Sequence, residues 1–178
     1  MKRILCIAIL GLSILIAPIR AHAVDDTYMG VQFAQAQLNK DQLDETFEPS
    51  AIVGRIGASA TEGFVFEGRI GTGVSNDSRK SGGQDVTVDV NYLVGGYGLL
   101  RGNFSETLYP YAIAGATIVD LEVPNNRGLN GEKTSLSYGV GFDARVSQAL
   151  GLGVEYIRYI SHNDFDLDGL SIGFTVRY

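Results

Sequence analysis

Beyond residue 23 the chain has no cysteine, so no disulfide holds its fold. Proline is scarce, 4 in 178 residues, and His162 is the one histidine after that point. Basic charge is short as well. From Val24 onward the chain keeps all 20 acidic residues but only 11 bases, a formal charge of 11 − 20 = −9. Nucleic-acid binding needs a basic footprint, so that class of partner is excluded. Nor does this region contain 18 consecutive apolar residues, which excludes a transmembrane helix. No segment has the periodicity of an amphipathic helix. One way through a membrane remains open, a closed barrel of strands, because closure satisfies every backbone group.

The first 23 residues stand apart. Lys2 and Arg3 precede an apolar run from Ile4 to Ala17, Pro18 breaks it, and Ala21-His22-Ala23 is a small-x-small cleavage site. That pattern predicts a secretory signal peptide cut before Val24. Cys6 lies too early to be a lipoprotein cysteine. Residues 24–178 then form one domain of 178 − 23 = 155 residues.

Glycine is abundant, at 23, and all 9 tyrosines and 8 phenylalanines follow the leader. Period-two alternation and turn residues predict eight strands, at about 28–36, 51–60, 63–74, 86–100, 109–121, 134–146, 151–160 and 170–178. The last is the clearest. Leu170, Ile172, Phe174, Val176 and Tyr178 alternate with Ser171, Gly173, Thr175 and Arg177, and the chain stops on the aromatic. In the fifth, Tyr111 and Ile113 are assigned to the apolar side and Ala112 and Ala114 to the opposite one. Arg158 interrupts the seventh and predicts a bulge or a lipid boundary there. The connections after the first, third and fifth strands are long and polar, and those after the second and sixth are short. Residues 101–108 are long for a turn and 161–167 short for a loop.

A soluble barrel also alternates, but with its apolar side inward. Three features favour the inverse arrangement. The side opposite the apolar one carries Arg55, Glu67, Arg69, Asp89, Asp143, Arg145, Glu155 and Arg177. Small residues, among them Gly139, Gly141, Ala112 and Ala114, share that side and suit a narrow interior. Tyr28, Phe64, Tyr97, Tyr109 and Tyr178 fall near one set of strand ends, the expected position of an interfacial girdle. The fold class predicted is all-β, a closed eight-stranded antiparallel transmembrane β-barrel with both chain ends in the periplasm.

The C-terminal segment carries a resemblance. A polar residue, a glycine, a hydrophobic residue and a final aromatic stand at Ser171, Gly173, Val176 and Tyr178, a spacing that resembles the assembly signal of bacterial outer-membrane barrels. Pro110-Tyr111 followed by Ala-Gly-Ala, and Glu155-Tyr156, are further cues. The chain resembles small outer-membrane barrels of the OmpA, OmpX, attachment-invasion and opacity type. That resemblance implies location in the bacterial outer membrane, insertion by the barrel-assembly machinery, contact with outer-membrane lipid and lipopolysaccharide, and a surface-contact or adhesion role toward a host or extracellular ligand. No cofactor is implied.

Three groups of residues admit a chemical and a structural reading. The inward charges make either an ion conduit or a paired, hydrogen-bonded plug, and the plug is favoured because eight strands leave an interior just filled by side chains. Asp164, Asp166 and Asp168, followed by Gly169, resemble half of a calcium loop, but Thr175 stands where such a loop needs Glu. A solvated acidic hairpin is the better reading; more diffusely, acidic loops beside an anionic surface are placed to share divalent cations with lipopolysaccharide. Ser161 and His162 are adjacent without the His-x-Ser spacing of lipid A deacylases, so catalysis is not expected. The functions in order are surface contact, a narrow channel for small solutes, and a lipid A-modifying enzyme.

Overall fold

The computed structural model describes residues 27–40, 48–75, 77–81, 84–122, 131–162 and 165–178. The expected signal peptide lies outside these residues. The described strands are β1 (Thr27–Lys40), β2 (Ser50–Thr61), β3 (Phe64–Ser75), β4 (Asp77–Ser81), β5 (Gln84–Arg101), β6 (Leu108–Glu122), β7 (Gly131–Arg145), β8 (Leu150–His162) and β9 (Phe165–Arg177). Their order is β3-β2-β1-β9-β8-β7-β6-β5, and pairing of β3 with β5 closes the ring; β4 pairs with the start of β5 alone. All neighbours are antiparallel, so eight strands form a closed barrel and β4 prolongs one hairpin.

The stagger follows from the register. Starting at Asp143, the pairs run through Gly153, Gly173, Gln32, Val53, Gly71, Leu93 and Val119 to Lys133, so one circuit returns 143 − 133 = 10 residues along β7. A stagger of this kind tilts the strands, and at eight strands it leaves an interior that side chains can just fill.

Alternation sets which side faces out. Met29, Val31 and Phe33 on β1, Phe66 and Ile70 on β3, Val140 and Phe142 on β7, and Ile172 and Phe174 on β9 are all exposed. So large a continuous apolar exterior has no place in water. It is the outward band of a barrel in lipid.

Both described chain ends, and the turns β2–β3, β5–β6 and β7–β8, lie at one end of the barrel, with Tyr28 paired to Arg177. At the other end leave the connections spanning residues 41–47, the β4–β5 hairpin, residues 123–130 and residues 163–164.

Three strand boundaries differ from expectation. β1 runs on to Lys40, β9 begins at Phe165 rather than Leu170, and β4 occupies a stretch expected to be loop. Above the bilayer both sides of a strand meet water, so the apolar–polar contrast that marks a strand in sequence disappears while the backbone pairing continues. Bulges lie between Val90 and Tyr92 on β5, and between Arg158 and Ile160 on β8. The first reverses the alternation at Asn91, so Val90 and Leu93 face in while Tyr92 and Val94 face out. The second is at the position where Arg158 breaks the pattern.

Candidate functional site

The interior is built from the inward residues in three zones. Toward the loop end the inward residues are apolar, Ala36, Val90, Leu93, Val119, Leu121 and Leu167, and they belong to a buried cluster that continues through the tyrosines of the middle zone to Val65, Leu99 and Ile113. At mid-barrel lies the charged zone. Toward the turn end, arginines line a small cavity.

Arg69 is the centre of the middle zone. Its guanidinium forks onto Glu155, with Nη1 to Oε1 at 2.6 Å and Nη2 to Oε2 at 2.7 Å, while Nε donates to Glu67 Oε1 at 2.6 Å. The same group lies 4.8 Å from the Tyr97 ring centroid. Bidentate geometry of this kind is open to arginine and closed to lysine. Tyr111 Oη donates to Glu155 at 3.0 Å, and Tyr28 Oη donates to Glu67. Arg55 reaches Asp143 at 3.2 Å and Glu67 at 3.8 Å. Arg101 joins Asp143 from the other side at 3.4 Å. The Tyr28 ring is shared by Arg55 and Arg101, 5.7 and 5.5 Å from its centroid. Three arginines thus meet three carboxylates. Beside them runs a neutral chain, Tyr97 Oη to Thr117 Oγ1 at 2.6 Å, Thr117 to Ser137 at 2.6 Å, and Ser137 donating to the Tyr159 carbonyl at 2.8 Å.

Glycines make room for this layer. Tyr28 is paired with Gly57, Tyr97 with Gly115 and Tyr111 with Gly141. Each ring lies across its partner. A Cβ at Gly57 would come within 2.5 Å of Tyr28 Cε1, one at Gly115 within 2.7 Å of Tyr97 Cδ1, and one at Gly141 within 2.8 Å of Tyr111 Cε2. Strand glycines of this type mark a close approach.

The residues singled out in the sequence divide as follows. Arg55, Glu67, Arg69, Asp143 and Glu155 converge in the middle zone, and Arg177 is buried nearer the turn end. Two are not buried. Asp89 is half-buried near the loop end, its carboxylate against Gly73. Arg145 is exposed, because it closes β7 at the rim where the barrel opens, and it stacks on Tyr109 at 5.0 Å. The girdle expectation needs correction: of its five residues Tyr28 and Tyr97 are inside the barrel, 1 % and 4 % exposed, Phe64 and Tyr109 are half-buried, and Tyr178 is exposed. β6 is inverted relative to expectation, with Tyr111 and Ile113 inward and Ala112 and Ala114 outward. Packing inside the barrel is itself partly apolar, so hydrophobicity alone misassigned that strand.

The aspartate motif is also corrected. Asp166 and Asp168 belong to β9 and pair with Arg158 of β8, through Nη1 to Asp166 Oδ2 at 3.5 Å and Nε to Asp168 Oδ1 at 2.7 Å. A strand spreads alternate carboxylates along an edge instead of wrapping them about an ion. Asp164 lies outside the described residues, as do the side chains of Ser161 and His162. Among the described residues no group of three His, Cys, Asp or Glu side chains is arranged to hold a metal. On β9, Ser171 and Gly173 face the interior while Val176 and Tyr178 face out, and Tyr178 Oη donates to Met29 Sδ at 3.3 Å.

Comparison with known families agrees with this geometry. The profile for the outer membrane protein beta-barrel domain matches residues 6–178. The chain belongs to that outer-membrane β-barrel family. Among solved barrels of similar fold, Ail, the attachment invasion locus protein of Yersinia pestis, superposes with a TM-score of 0.60 at 15 % identity, covering 86 % of this chain and 99 % of Ail. Neisserial surface protein A gives 0.58 at 16 % identity over 85 % and 97 %. OprG of Pseudomonas aeruginosa gives 0.55 at 12 % over 88 % and 97 %. A second Ail structure holds the heparin analogue sucrose octasulfate. No curated protein matches the sequence of this outer-membrane barrel significantly.

Proposed function

We propose that the protein is a surface-contact barrel: a rigid lipid-embedded mount whose long connections meet the exterior, without enzymatic activity. The observation that carries this reading is the filled interior. The apolar cluster and the charged layer beneath it occupy the lumen with buried side chains, which leaves the loop end as the working surface. By the rule that outer-membrane barrels have short periplasmic and long external connections, that end faces outward.

The partner is an extracellular or host surface group. Ail's sulfated ligand is a weak guide here, since residues 41–47 carry Asp41, Asp44 and Glu45 and no base, whereas residues 123–130 carry Arg127 and no acid. At the first connection a cationic or cation-bridged partner fits better, lipopolysaccharide through shared divalent ions included. Deleting residues 41–47 or 123–130 one at a time is expected to abolish attachment of expressing cells while leaving the barrel's surface level unchanged. Undiminished attachment with both deletions would overturn the reading. Equal attachment and barrel retention with and without a chelator would remove the cation-bridged part.

Export and insertion complete the proposal. Residues 1–23 are removed, so the mature mass corresponds to a chain starting at Val24. Ser171, Gly173, Val176 and Tyr178 are the address read by the assembly machinery. Tyr178→Ala is expected to lower the folded, membrane-inserted fraction; a mass that retains the leader or a fully inserted variant would count against these assignments respectively.

A further inference from the structure

The outward side of the barrel is not uniformly large. On β2, Gly54 stands between the exposed Ile52 and Ile56, and on β3, Gly68 stands between the exposed Phe66 and Ile70. The register sets the two side by side, with Gly54 opposite Ile70 and Ile56 opposite Gly68. They form the floor of an apolar groove of about 650 Å³ in the outer wall. We propose that this groove is a binding site for one acyl chain of a phospholipid, in the leaflet on the turn side of the barrel.

The glycines are the first argument. The inward glycines 57, 115 and 141 seat tyrosines of this chain, and these two seat nothing of their own. A Cβ at Gly54 would lie 3.7 Å from its nearest neighbour, the Ile70 carbonyl oxygen, and one at Gly68 would lie 3.8 Å from Ile56 Cγ2. Both are ordinary contacts, so the barrel has room for a side chain at either position. Glycine inside a strand weakens it and is a mark of close approach by a ligand or a second backbone. Here the approach comes from the lipid side.

The walls identify the guest. Met29, Ile56, Ile70, Val94, Phe174 and Tyr178 line the groove. Arg55 and Arg69 border it through their backbone, because their guanidiniums are paired inside the lumen. Among the described residues no charge faces the groove, so its guest is hydrocarbon and not a headgroup or an ion. The groove is continuous with the apolar band, and an acyl chain reaches it without crossing water. The unbranched Met29 thioether adapts to such a chain. Tyr178 donates to it at 3.3 Å and closes the foot of the groove, where an interfacial aromatic sits at headgroup level.

Length fits one chain. The groove crosses five neighbouring strands, β9, β1, β2, β3 and β5. At about 4.8 Å per strand spacing it is roughly 19 Å long. It runs from Tyr178 at the turn-end rim to Val94 at mid-barrel, inclined because the strands themselves tilt by about 35–45°. One leaflet of hydrocarbon is about 15 Å deep, half of a core of about 30 Å. An inclined groove of this length spans one leaflet. A second copy of the barrel fits less well: its wall is convex and meets this one along a strip, whereas a stable protein interface takes about 800 Å² a side.

The test uses the full mature barrel, refolded into vesicles of dimyristoyl phosphatidylcholine and then extracted into a nonionic detergent. Detergent strips lipid that merely surrounds the barrel, and native mass spectrometry counts what stays. One retained phosphatidylcholine per barrel is expected, with single-site saturation when the lipid is titrated back. Gly54→Leu combined with Gly68→Leu fills the groove and is expected to weaken retention by about tenfold or more, the factor for two methylenes leaving contact. Ala114→Leu, a comparable addition to the outward side of β6 beyond the groove, should leave retention unchanged. Lysophosphatidylcholine, which has one chain, is expected to displace the retained lipid.

No retained lipid on the unaltered barrel, or equal retention by the filled variant while it still migrates as a folded barrel, would overturn the proposal. So would a lysolipid that fails to compete, since the site takes a single chain. Barrel dimers that disappear in the filled variant, with no lipid retained, would assign the groove to a second copy and overturn it as well.

Discussion

Replacing Arg69 by Met is expected to destabilise the barrel by about 3–5 kcal/mol, the usual cost of removing one member of a buried ionic cluster. The side chain is fully buried, and its loss strands Glu155 and Glu67 in the lumen, each with its strongest partner gone. Burial penalises an unpaired carboxylate more than the original pair stabilises the fold. The sharper expectation concerns the double variant. Arg69→Met with Glu155→Gln removes the cation and the carboxylate it forks onto, so its cost should fall below the sum of the single costs by about 0.5–3 kcal/mol. Equilibrium unfolding in urea from lipid vesicles, with folded protein scored by its faster migration when unboiled, reads both quantities. Additive single effects would show that Arg69 and Glu155 do not act as a unit.

The second large effect belongs to a glycine. Gly141→Ala is expected to destabilise by about 1–3 kcal/mol, the range for overpacking a filled interior. Its Cβ would enter the space of the Tyr111 ring, which cannot withdraw without giving up its hydrogen bond to Glu155. Gly96→Ala is the matched control. That glycine faces outward and a Cβ there meets nothing within 4 Å, so the change should be neutral or slightly stabilising. The same unfolding assay compares them. Equal costs would mean that strand propensity, and not the tyrosine seat, governs both positions.

These two sites also show what the sequence makes legible. On β1, β3, β7 and β9 the outward side is strongly apolar and the inward side polar or small, so alternation alone separates lipid from lumen. On β6 it does not, because Tyr111, Ile113, Val119 and Leu121 pack inside while Ala112 and Ala114 face out. Charged residues were therefore easier to place than aromatic ones: Arg69 and Glu155 have no stable position in lipid, whereas tyrosine is at home at an interface or across a glycine. The seats at Gly57, Gly115 and Gly141 exist only through the register, which single-strand patterns do not contain. Arg145 and Asp89 have the correct parity for the interior yet stand outside the cluster, since parity says nothing about height along the barrel. The turn-end cavity escapes sequence reading for the same reason. Arg101, Arg145 and Arg177 come from three different strands, and only closure brings them to one mouth.

Arg158 shows how an outer surface accommodates charge. It continues the outward series of Leu152, Val154 and Tyr156 toward the loop end, and there Asp166 and Asp168 neutralise it. A paired charge near the upper edge of the apolar band is tolerated where the same charge at mid-membrane is not.

The central claim is that the lumen is a packed, ion-paired plug, so that the protein acts through its external connections and not by conduction. Single-channel recording of the refolded mature protein in planar bilayers tests it most directly. Bilayers containing the inserted barrel should show no unitary current steps at any moderate voltage, while the protein recovered from them still migrates as folded. Clear, reproducible steps from that folded protein would contradict the claim.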